Sequence, residues 1–77
     1  MRFNCEFEHP KTGEHKSIEV ILTTAECMQL IDVRERDGVD HAVVIAQGLA
    51  LRSAYAANPE LRNGFLHTEP PSAVAVN

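Results

Sequence analysis

The side chains best suited to chemistry in this chain are four histidines, His9, His15, His41 and His67, and two cysteines, Cys5 and Cys27. His9 and His15 flank residues 10–14. If those residues form a hairpin loop, the two imidazoles would face each other across its strands, a geometry that holds a metal once a third ligand arrives. The sequence places no third ligand, and a metal site stands or falls on its ligand count. The histidines therefore read as exposed loop residues, and no metal ligand is assigned. His41 falls in the first turn of a helix, where the helix dipole disfavours positive charge, so it reads as neutral. His67 reads as a surface residue.

A nucleophilic cysteine needs a histidine and an orienting group beside it. Cys5 and Cys27 both fall on apolar faces, where burial raises a thiol's pKa and makes it inert. No CxxC spacing occurs, and two cysteines in 77 residues are too few for a disulfide scaffold, so reduced, packed thiols are expected. Glu6, Glu8, Glu14 and Glu19 read as solvated carboxylates with nothing to split their pKa values. Gly13, Gly38, Gly48 and Gly64 are isolated and make no phosphate loop. The expectation is no catalytic residue, no cofactor-binding residue and no cofactor.

The partners that composition disfavours are clear. A net charge of −4 and a pI near 5.4 argue against sequence-independent binding to phosphate backbones, which needs a basic face. With 44% hydrophobic and 23% charged residues the chain reads as globular. Its longest uninterrupted apolar run, residues 42–46, is far short of the roughly 20 residues that a membrane span needs. Arg2 is not followed by the apolar run of a secretory signal. A soluble, cytoplasmic protein with no membrane association is expected.

The elements that must position these side chains follow from periodicity. Residues 2–8 alternate, with Phe3, Cys5 and Phe7 on one face and Arg2, Asn4, Glu6 and Glu8 on the other, which predicts a half-buried strand. Pro10 and Gly13 fit a hairpin loop. Residues 16–23 alternate again, with Ile18, Val20 and Leu22 on the apolar face. Thr23 and Glu26 stand at capping-box spacing, and a first helix over about residues 24–36 shows Cys27, Met28, Leu30 and Ile31 on one face. Gly38 should end it in a left-handed conformation. Asp40 should cap a second helix running to Asn58, before Pro59. Pro59 opens a further turn, and residues 64–68 are a candidate third strand. The fold class is α+β: an N-terminal antiparallel β-hairpin with a possible short third strand, packed on two helices in the order ββαα(β). One domain over residues 1–69 is expected, with residues 70–77, which open on Pro70-Pro71 and continue in small side chains, as a disordered tail.

The second helix dominates this reading because it is apolar almost all the way round. Val44, Gly48, Leu51 and Tyr55 form one row, and Ile45, Leu49 and Ala56 a second. Ala42, Ala46, Ala50 and Ala54 form a third, a flat ridge that another helix could approach closely. A domain of this size buries only about 60 to 65% of its unfolded surface and has few elements to cover such a helix. A homodimer is therefore expected, with Ala42, Ala46, Ala50 and Ala54 as the first candidate contact and Val44, Leu51 and Tyr55 as the second. In outline, the strand followed by two helices over about residues 16–57 resembles the ribbon-helix-helix repressors, which also implies a dimer. Here a preceding hairpin strand already offers a partner, and Glu19, Ile21 and Thr23 are poor groove readers, so the family is not adopted. The expected function is a non-catalytic interaction or regulatory module. The alternatives are a nucleic-acid regulator using Lys11, Lys16, Arg34 and Arg36 as a local basic patch, or a small ligand-binding or enzymatic dimer.

Overall fold

A computed structural model describes residues 1–74. Strand β1 (Arg2–Glu8) pairs antiparallel with β2 (His15–Ile21), in a register that sets Phe3 opposite Val20 and Cys5 opposite Ile18. The alternation read from the sequence holds, so the apolar residues of both strands share one face. Phe3, Cys5, Phe7, Val20 and Leu22 are all buried there.

Helix α1 (Thr24–Asp37) starts where its capping box puts it. The Glu26 N–H donates to Thr23 Oγ1 at 3.1 Å, and the Thr23 N–H donates to Glu26 Oε1 at 2.9 Å. Its inward residues are Leu30 and Val33; Ile31, expected in the core, is 55% exposed, and Met28, expected on the same face of the helix, is 62% exposed. They stay outside because α1 lies mainly along its neighbour α2 and has few contacts with the sheet. The core face of α1 is thereby rotated from Met28 and Ile31 towards Val33.

Helix α2 (Val39–Ala57) follows after a single residue. Gly38 terminates α1 through its N–H, which donates to the Arg34 carbonyl at 3.0 Å, and its own carbonyl accepts from Ala42 N–H at 3.2 Å. Its φ of 96° and ψ of 168° lie outside the left-handed helical region, in the extended positive-φ region that is essentially glycine's alone. Asp40 is consequently not the cap: it stands inside the first turn of α2, and no side chain caps that helix.

The C-terminal segment closes the other side of the sheet. A 3-10 turn over Pro59–Arg62 sets Leu61 fully in the core, and Phe65 follows it in. Strands β3 (Leu66–His67) and β4 (Ser72–Val74) then both pair with β1, antiparallel, on the edge away from β2. They form one interrupted strand. Phe7 stands opposite His67, so unbroken pairing would set Asn4 opposite Pro70; Ser72 is found there instead. Two residues are looped out around Pro70-Pro71 because a proline has no N–H for the ladder.

The disordered tail expected from residue 70 onward is thus corrected as far as residue 74. Pro71 is buried, and its carbonyl accepts a hydrogen bond from Gln47 Nε2 at 3.2 Å. The domain therefore extends past residue 69. Residues 75–77 of that expected tail lie outside the described residues.

Candidate functional site

The alanine ridge of α2 points inward. Ala46, Ala50 and Ala54 are 5%, 0% and 0% exposed, packed into the cluster built from Phe3, Phe7, Val20 and Leu61. Their small side chains let the helix approach a sheet already studded with phenylalanines, so the close approach expected between two copies occurs within one. Ala50 and Ala54 therefore offer no surface to a partner, and the first candidate contact is corrected there; Ala42 is half-buried and, with Ala46, faces a cleft at the other end of the helix. Leu51 and Tyr55, of the second candidate row, are half-buried against the same core, with the Tyr55 ring edge-on to Phe7 at 5.4 Å between centroids. Val44 alone of that row is free, at 64% exposed.

A cleft of about 520 Å³ opens between α1, the N-terminal half of α2 and the end of the sheet where β1 begins. Phe3, Leu30, Ala42 and Ala46 line its depth; Met1, Ile31, Val39 and Val43, each roughly half exposed, stand around it. Half-buried Cys27 also lines it. Arg34 is, among the described residues, the one lining residue with a charged side chain. Among the described residues the ion pairs are Arg2 with Glu19, His15 with Glu6, Lys16 with Glu14 and Arg36 with Asp37, so the Arg34 guanidinium has no carboxylate beside it. Gln47, the remaining polar group, is engaged with Pro71.

Because side chains alternate, the open face of the sheet carries a different group. Glu6 stands between Asn4 and Ser17, accepting from the Asn4 amide and, at 2.9 Å, from the Ser17 hydroxyl; His15 Nε2 meets its second oxygen. The single Ser17 proton serves either Glu6 or Asn4 Oδ1, which is 3.0 Å away. Hydrogen bonds from Ser17, Asn4 and His15, in that order of weight, hold the Glu6 carboxyl below its usual range. Serine, histidine and a carboxylate are all present, but in the wrong order for nucleophilic catalysis: the carboxylate sits between the other two, and no basic nitrogen is placed to take the serine's proton.

His9 and His15 do not share a site. Glu8 pairs with His15, which sends that imidazole to the open face, while His9 turns its ring edge-on to Phe65 at 5.2 Å. His9 Nδ1 accepts from the backbone N–H groups of Lys11 and Thr12 at 3.2 and 3.3 Å, so its role is to fix the hairpin loop. Among the described residues no three His, Cys, Asp or Glu side chains converge as a metal site would require. Cys5 is fully buried, and burial first, then the charge of Glu6, pushes its thiol pKa up, which is the opposite of activation.

The basic residues do not gather either. Lys11 and Lys16 stand at the hairpin-loop end of β1, with Lys16 Nζ over the Phe65 ring at 5.4 Å from its centroid. Arg34 lines the cleft beside Met1, at the opposite end of a strand about 20 Å long. No helix among the described residues is long and apolar enough to cross a membrane. No family model, curated protein or solved structure matches the chain. The cleft is the feature that sequence reasoning missed. Its signal was present in the clustering of Val39, Val43 and Val44 at one end of α2, but the even spread of apolar residues around the helix masked it.

Proposed function

We propose that this chain is a non-catalytic interaction module that works as a homodimer, closed over the cleft between α1 and α2. The observation that carries the reading is where the exposed apolar side chains stand. Met1, Ile31, Val39 and Val43 surround one apolar hollow, Val44 and Met28 stand exposed on the same two helices, and each is close to half exposed or more. Soluble monomers rarely leave so continuous an apolar surface wet. A twofold contact covers it with a copy of itself, since projecting valines and a hollow occur in the same patch.

The free edge of β2 is the competing surface, and it is guarded. Lys16 projects from this edge strand on the helix-facing side, and an inward charge of that kind opposes pairing with another strand. His15, Ser17 and Glu19 make its other face polar up to Ile21 at the strand's end. The cleft has no such guard.

Light scattering behind size exclusion tests the reading. Twice the 8.5 kDa chain mass is expected, together with a melting midpoint that rises with protein concentration. Val43→Asp should give a folded monomer, because Val43 is 48% exposed within one chain and its loss leaves the core intact. A wild-type chain that remains monomeric at high concentration would overturn the proposal.

A further inference from the structure

The cleft carries one cation and has an anion close by, and their placement says how a second copy would sit. Arg34 lines the hollow from α1 and, among the described residues, has no carboxylate beside it. Asp40 stands exposed in the first turn of α2, next to Val39 and on the same flank as Val43 and Val44, which follow it at three and four residues. It too is outside every ion pair among the described residues. Ile31, Val39 and Val43 form the apolar rim of the cleft, and helical spacing sets Asp40 on the flank of α2 beside it.

A twofold axis through this rim exchanges the α1 side of the patch for the α2 side. From these two charges, one on α1 and one on α2 and neither in an ion pair among the described residues, we infer that Arg34 of each protomer pairs with Asp40 of the second copy, so that two symmetric ion pairs bracket the apolar contact and fix its register. The other nearby carboxylates, Asp32, Glu35 and Asp37, lie on the same helix as Arg34 and are carried by the rotation to face α2 of the second copy. The inference rests on the homodimer reading and adds its geometry: like charges oppose each other in any pairing that sets α1 on α1, and attract when α1 crosses α2.

The test is a charge exchange. Arg34→Asp alone puts two carboxylates at each pair, and Asp40→Arg alone puts two guanidinium groups there. Each variant should dimerise at least about tenfold more weakly than wild type at low salt, with the difference shrinking as salt is added. Mixing the two restores opposite charges at both pairs, so a one-to-one heterodimer should form with near wild-type affinity, read by native mass spectrometry and by analytical ultracentrifugation. Recovery on mixing also shows that both variants are folded. Variants that self-associate as well as wild type, or a mixture that stays monomeric beside a dimeric wild type, would overturn the pairing and leave the homodimer standing. A wild-type chain that stays monomeric while taking dodecanoate into the cleft would overturn both, since an aliphatic carboxylate satisfies the same apolar hollow and the same guanidinium.

Discussion

Two glycine-to-alanine substitutions on the helical hairpin should have opposite signs, although a methyl group meets no atom within 4 Å at either position. Gly48 lies in the middle of α2 on its exposed side, in ordinary helical backbone. Alanine there should stabilise by about 0.8 to 1 kcal/mol, because the unfolded chain loses freedom and the helix gains its best former. Gly38 has φ of 96° and ψ of 168°, where a β-carbon is strained whatever the surrounding space. That strain costs on the order of 1 to 3 kcal/mol, offset by about 0.4 to 1 kcal/mol from the stiffer unfolded chain, for a net loss of about 1 to 2 kcal/mol. At roughly 0.05 to 0.15 kcal/mol per residue, a domain of this length holds only about 4 to 11 kcal/mol, so both changes are measurable. Urea unfolding at one fixed protein concentration is the assay. With a slope of about 1 kcal/mol per molar, the midpoint should fall by about 1 to 2 M for Gly38→Ala and rise by about 0.8 to 1 M for Gly48→Ala, with slopes unchanged. Gly38 also sets the angle between α1 and α2 and hence the shape of the cleft, so Gly38→Ala should weaken self-association as well. A neutral Gly38→Ala would refute the account of the helix joint. A destabilising Gly48→Ala would mean that the outer side of α2 is covered.

The interrupted strand and the open sheet face give two further expectations. Gln47→Ala should cost about 0.5 to 1.5 kcal/mol by freeing the Pro71 carbonyl, and removal of residues 72–77 should lower the melting midpoint by several degrees; an unchanged midpoint in both would mean that β4 is not part of the folded unit. Glu6, whose carboxyl is held below its usual range, contributes stability that is present above the ordinary carboxylate pKa of about 4.3 and lost as pH falls through its lowered folded value. Glu6→Gln should therefore flatten the acid limb of a melting-midpoint profile and leave its salt dependence near neutrality almost unchanged. An identical acid limb in the variant would show that the hydrogen bonds from Ser17, Asn4 and His15 do not single out the ionised form.

What the sequence determined by itself is what local periodicity and end signals encode. Alternation over residues 2–8 and 16–23 defined two strands and their buried faces, because a strand with one wet side admits only one inward set. Thr23 and Glu26 fixed the start of α1, since both partners of the capping box lie within one turn. The orientation of α2 was not legible. A helix apolar on every side carries no preferred inward direction, and only the sheet, with Phe3 and Phe7 projecting from it, selected the alanine row as the one slim enough to lie against it. For the same reason Ile31, a core candidate by spacing, and Met28 on the same face stayed outside once α1 lay along α2 instead of on the sheet. The tail was misread because Pro70 and Pro71 are local stop signals, whereas β4 depends on a partner some seventy residues away in sequence, the free edge of β1. The valines at one end of α2 hinted at the cleft, but its walls come from α1, α2, Phe3, Pro71 and Ala73, so only the packing of these separate elements made it.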